Sequence, residues 1–127
     1  MTENKPKILI VDDEQPILEA LTIRLEANGY EVITAIDGAD GLSKARLEKP
    51  DLIVLDVMLP KMNGYKVSRM LKFDENYQHI PIIMLTAKIQ SVDMEQGKEA
   101  GADVYLTKPF QADELLKHIK DLLAKKA

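Results

Sequence analysis

The sequence predicts an α/β fold, a doubly wound five-stranded parallel sheet with helices on both faces. Three observations carry this expectation. Ile8-Leu9-Ile10-Val11, Leu52-Ile53-Val54-Leu55 and Ile82-Ile83-Met84-Leu85 are apolar at consecutive positions, as strands buried on both faces require. Segments with helical apolar spacing separate these runs, and alternating strands and helices imply parallel pairing with right-handed crossovers. The runs also end on polar groups: Asp12-Asp13, Asp56, Thr86 and, after Val104-Tyr105-Leu106-Thr107, Lys108. In open α/β sheets ligands sit beyond the carboxyl ends of the strands.

Each element has its own signal. Pro16 suits a first helical turn, and Ile17, Leu18, Leu21 and Leu25 follow at helical spacing. Asn28-Gly29 is a helix stop. Glu31-Val32-Ile33-Thr34-Ala35 reads as a short strand, Asp37-Gly38 as a turn, and Ala39, Leu42 and Ala45 as a second helix ended by Pro50. The loop Met58-Leu59-Pro60-Lys61-Met62-Asn63-Gly64 leads to a third helix carrying Val67, Met70 and Leu71. Residues 74–79 are polar and read as loop, and a fourth helix is expected over residues 92–100, with Gly101 as its stop. Asp113 is an N-cap or first-turn acid for the last helix, whose stripe is Leu115, Leu116, Ile119, Leu122 and Leu123. The total is five strands and five helices.

The alternation uses up the 127 residues. One domain is therefore expected over residues 1–127, with its core at about 7–123 and no linker or second domain. The net charge of −4 and the lack of a basic run argue against nucleic-acid contact by this domain and against membrane binding. There is no Cys, which excludes disulfides and thiolate metal sites. No apolar run approaches the roughly 20 residues of a membrane helix, and the polar start does not read as a signal peptide. A cytoplasmic location is the expectation.

The strand ends bring three carboxylates, a hydroxyl and an ammonium to one edge. Like charges raise one another's pKa, and a hard divalent cation removes that penalty. Mg²⁺ takes oxygen ligands, often one or two carboxylates with waters and a phosphate. For Asp12 alone a turn or cap role would win. Two adjacent acids with a third at a second strand end favour a site. Asp56 can also attack phosphorus as a nucleophile, while Lys108 offers a point charge and Thr86 a hydroxyl. His79 and His118 lack metal-ligand spacing and read as structural or solvated.

Val11-Asp12-Asp13-Glu14, Leu55-Asp56-Val57-Met58-Leu59-Pro60 with Gly64, Leu85-Thr86-Ala87 and Leu106-Thr107-Lys108-Pro109-Phe110 occur in this order and spacing. By these motifs the chain resembles the receiver domain of two-component response regulators, chemotaxis-regulator-like, from about residue 7 to 123. The resemblance implies a flavodoxin-like sheet of order 2-1-3-4-5, an arrangement for which a member of this family is itself the standard example. It implies that Asp56 accepts a phosphoryl group from a histidine kinase or phosphotransfer protein. Mg²⁺ (or Mn²⁺) would be bound by Asp13, Asp56 and the Met58 backbone carbonyl, with Asp12 acting mainly through a metal-bound water. Thr86 and Lys108 would contact the phosphoryl group. Pro60, Gly64, Ala87 and Pro109 would be structural, Ala87 leaving room and Lys108-Pro109 forming a cis peptide. Thr86 and Tyr105 would be the switch, reshaping the face of the fourth helix, strand five and the last helix to control a downstream protein. Ile89, Val92 and Met94 near the fourth helix are candidates for partner contact, with core packing at least as strong a reading for each. Phosphorylation-dependent dimerisation is left open.

Such a domain is a signalling phosphoacceptor rather than an enzyme, assisting its own phosphorylation and a slow autodephosphorylation. Met58 and Lys88, two residues past Asp56 and Thr86, are expected to shape water access to phosphorus. An Asp-nucleophile phosphohydrolase usually has a second acid where Met58 stands. In a flavin carrier of this fold, Asp12-Asp13-Glu14 would repel the flavin phosphate.

Overall fold

The computed structural model describes residues 5–86 and 101–126. Their order is β1 (Lys7–Val11), α1 (Gln15–Ala27), β2 (Glu31–Ala35), α2 (Gly38–Glu48), β3 (Leu52–Asp56), α3 (Gly64–Lys72), β4 (Ile82–Thr86), β5 (Val104–Thr107) and α4 (Ala112–Lys126). The helix expected over residues 92–100 lies outside the described residues, as do Ala87, Lys88, Ile89, Val92 and Met94. The C-terminal helix, expected as the fifth, is therefore α4.

The five strands form one parallel sheet of order β2-β1-β3-β4-β5. Val11 stands beside Leu55, Asp56 beside Leu85, and Thr86 beside Thr107. This register puts the carboxyl ends of β1, β3, β4 and β5 on one rim.

Alternate strand residues face opposite layers. Leu9, Val11, Ile53, Leu55, Ile82 and Met84 pack with Leu42 and Ala45 of α2 and Val67 and Leu71 of α3. Ile8, Ile10, Leu52, Val54, Ile83 and Leu85 pack with Leu18, Leu21 and Leu25 of α1 and Leu115, Leu116 and Ile119 of α4. Both faces of β3 and β4 are buried along their full length, which is why their sequences are unbroken apolar runs. Each such side chain contributes about 1.5–3 kcal/mol on burial.

Local chemistry sets the helix ends. Pro16 lies in the first turn of α1, which stops at Asn28, and Gly29 follows at φ +91°. Asp37 caps α2 by accepting the N–H of Asp40 at 2.7 Å, and Asn63 caps α3 by accepting that of Lys66 at 3.0 Å. Such caps stabilise a helix by about 1 kcal/mol. Asp113 and Glu114 lie in the first turn of α4, where acids favour the helix dipole.

At the end of the sheet away from the rim, Lys72 closes α3 onto the start of β4. Its ammonium donates to the carbonyls of Ile80 (2.7 Å) and Gln78 (3.2 Å) and lies 3.1 Å from Asp103. The Asp103 carboxylate also accepts the N–H of Ile82 at 2.8 Å.

Candidate functional site

Asp12 follows β1 and is fully buried. Its N–H donates to Ala35 of β2 at 3.1 Å. One carboxylate oxygen accepts the N–H of Glu14 at 2.9 Å, and the other accepts from the Lys108 ammonium at 2.9 Å. Asp13 is exposed beside it. Asp56 ends β3 and is 5% exposed, with a carboxylate oxygen 3.5 Å from Lys108. Oxygens of Asp12, Asp13 and Asp56 lie within 4.8 Å of one another. Trans ligands of an octahedral Mg²⁺ are about 4.2 Å apart. The three acids therefore fit that cation, directly or through a bridging water.

Backbone bonds hold the rim together. Val57 donates to Leu85 at 2.9 Å, and Lys108 donates to Thr86 at 2.6 Å. Thr86 is buried at the end of β4. The Lys108-Pro109 peptide is cis, matching the expectation from resemblance.

The electrostatics follow from burial. Desolvation pushes the Asp56 carboxyl up to about 6; the Lys108 charge opposes this, while Asp12 and Asp13 add to it. Burial works against the charge on Lys108 as well. The hydrogen bond to Asp12, with the charges of Asp56, Asp12 and Glu14, outweighs it and leaves the ammonium above its ordinary range. The edge is thus a set of acids short of positive charge, with one ammonium shared between two of them.

The loop after Asp56 is pinned at both ends. Gly64 donates to Val57 at 2.9 Å, and a Cβ on Gly64 would collide with the Asp56 carbonyl oxygen. That contact explains the glycine expected here as structural. Met58, expected to shape water access to phosphorus, has a side chain that is 74% exposed. Pro60 and Pro109 are both exposed loop residues.

Tyr105 of β5 stands beside Met84 and packs on the α2–α3 layer. Its hydroxyl is buried and has no hydrogen-bond partner among the described residues, and burial, with the neighbouring Tyr65, pushes it up to about 12. Neither the Lys108–Asp12 pairing nor the buried Tyr105 hydroxyl has a signal in the residue pattern. Both arise from contacts between distant segments.

The fold is thus an open parallel α/β sheet with acids, a hydroxyl and an ammonium gathered on its carboxyl rim, where ligands of such sheets sit. The profile of the response regulator receiver domain matches residues 8–120, and the chain belongs to that family, the receiver domains of two-component systems. It is 51% identical over 117 residues to the alkaline phosphatase synthesis transcriptional regulatory protein PhoP of Bacillus subtilis, covering 92% of this chain and 48% of that protein. It is 43% identical over 118 residues to the protein PilH of Pseudomonas aeruginosa, covering 93% of this chain and 98% of PilH. The chain spans about half the length of the first relatives it matches. Among solved structures, a CheY-like receiver domain protein from Methanospirillum hungatei superposes with a TM-score of 0.90 at 33% identity, covering 96% of each chain. A BeF3-activated DrrB receiver domain superposes at 0.85 and 37% identity, covering 95% of this chain and 99% of that one. Among the described residues, no helix is long and apolar enough to cross a membrane.

Proposed function

We propose that this receiver takes a phosphoryl group from a phosphohistidine of a sensor kinase or phosphotransfer protein onto Asp56. What carries this reading is the convergence of Asp12, Asp13, Asp56 and Lys108, with the Asp56 carboxylate both buried and 3.5 Å from the ammonium. An Asp56 oxygen attacks phosphorus; the new bond is O–P, the broken bond is P–N, and the histidine leaves with the electron pair. With its pKa near 6, Asp56 is mostly the nucleophilic carboxylate at neutral pH.

Asp13, Asp56 and the Met58 carbonyl would hold Mg²⁺ or Mn²⁺, with Asp12 acting through a bound water. That ion supplies positive charge to offset what develops on the phosphoryl oxygens. Lys108 leaves its bond to Asp12 to meet the phosphoryl group, and the Thr86 hydroxyl donates to a phosphoryl oxygen. Movement of Thr86 changes the space beside Tyr105, and the β5–α4 face, with the segment before β5, shifts toward its partner-binding form. Hydrolysis of the aspartyl phosphate is slow because the residue after next, Met58, has no group to activate water. The domain works without contacting nucleic acid, in the cytoplasm, as a monomer or a dimer formed on phosphorylation.

Incubation with Mg²⁺ and acetyl phosphate, followed by intact-mass measurement, tests this. The wild type gains one labile phosphoryl group and Asp56→Asn does not. An unmodified wild type with an unmoved NMR spectrum overturns the reading.

A further inference from the structure

The loop from Val57 to Asn63 is fastened by the start of α2, the helix that precedes β3 in the chain. Gly38 donates its N–H to the carbonyl of Pro60 at 3.3 Å, and Met62 donates to the same carbonyl at 2.7 Å. A Cβ on Gly38 would collide with the carbonyl oxygen of Met62 and lie 2.8 Å from the Met62 Cβ. Asp37 is buried and caps α2 through one oxygen. Its other oxygen lies 3.6 Å from the ammonium of Lys61. Lys61 itself sits at φ +67°, a left-handed conformation that a lysine adopts only when its surroundings hold it there. Steric contact, backbone bond and ion pair therefore converge on residues 60–62. That stretch begins two residues after Met58 and ends two before Gly64, which is itself pressed onto the Asp56 carbonyl.

We infer that Asp37, Gly38 and Lys61 are positioning residues for the metal and phosphoryl site, holding the loop so that the Met58 carbonyl faces the acids. The assignment rests on the phosphoacceptor reading of Asp56. Asp37, Gly38 and Lys61 act through the loop and not on the reacting atoms. The ion pair contributes least, because Lys61 is 72% exposed and exposed pairs are weak. Gly38 contributes most, because backbone cannot give way as a flexible side chain does. Outer residues that orient metal ligands change affinity by about 10–100-fold when lost.

The test uses Mn²⁺ binding read by electron paramagnetic resonance, with amide exchange of the metal-free protein. Gly38→Ala should raise the Kd for Mn²⁺ about tenfold. Lys61→Gly, which keeps the backbone conformation and loses the ammonium, should raise it about threefold. In both, the amides at positions 38 and 62 should lose protection without metal. Acetyl phosphate labelling should be slowed at low Mg²⁺ and restored at saturating Mg²⁺. Wild-type Mn²⁺ affinity in both variants overturns the assignment, whatever happens to their melting temperatures. Should Gly38→Ala not fold, Lys61→Gly decides alone. Failure of the wild type to bind Mn²⁺ overturns the phosphoacceptor reading, and this assignment with it.

Discussion

The ammonium of Lys108 is bound to Asp12 at 2.9 Å and stands 3.5 Å from Asp56. At rest the lysine therefore pairs with an acid of the proposed metal site more closely than with the proposed phosphoacceptor. Its positive charge occupies part of the field that a cation would fill. Lys108→Ala should let Mn²⁺ bind at least as tightly as in the wild type, by up to about tenfold, since a competing charge is gone. The same variant should lose most of the beryllofluoride-induced NMR shifts on β5 and α4. Weaker metal binding together with unchanged shifts would refute this role.

Asp56 makes stability depend on pH. Its carboxyl moves from an ordinary 3.8 to about 6, chiefly by burial. The folded protein then holds the proton more tightly than the unfolded chain. Below about pH 4 both states are protonated and there is no penalty. Stability falls as pH rises through 6 and is level above it. Two pH units correspond to about 3 kcal/mol, and solvent screening brings this to about 1–2 kcal/mol. Asp56→Asn should therefore be more stable than wild type by that amount at pH 7.5. The gap should close toward pH 4 in urea titrations. A gap independent of pH would rule out this origin.

Tyr105 holds a buried hydroxyl with no partner among the described residues. Burying such a group costs about 1–3 kcal/mol. Tyr105→Phe should stabilise the resting protein by about 1 kcal/mol in chemical denaturation and leave Asp56 phosphorylation intact. Destabilisation would mean that the hydroxyl has found a partner in solution.

Lys72 links α3, the start of β4 and Asp103. Lys72→Met removes the ammonium and leaves the buried Ile80 carbonyl without that donor, while Asp103 keeps the Ile82 N–H. A loss of about 1–2 kcal/mol is expected. Mn²⁺ affinity should not change, because this cluster lies at the end of the sheet opposite the acids. A variant that folds normally but binds Mn²⁺ poorly would contradict the separation.

The strands and the acids were legible because their causes are local or topological. An apolar run such as Leu52-Ile53-Val54-Leu55 can satisfy both faces only inside a parallel sheet, and its last residue is delivered to the rim by the fold. Asn28-Gly29 and Asp113 were readable for the same reason, since a helix end is settled by its own few residues. What escaped depends on distant neighbours. Nothing about Lys61 in sequence says that it adopts a left-handed backbone beside Asp37. Nothing about Met58 says that its side chain stands in solvent. The choice of Lys108 between Asp12 and Asp56 is a matter of tenths of an ångström, beyond any residue pattern.

The order β2-β1-β3-β4-β5 has one more consequence. β1, β3 and β4 are flanked on both sides, so they can hold chemistry at their tips but offer no flank to a visitor. β5 is an edge strand, only partly buried along its length. It leads directly into Lys108 and carries Tyr105, joining the chemical rim to the outer surface within four residues of chain. A partner reading that flank would be reading the chemistry at second hand, through a strand too short to bend between the two.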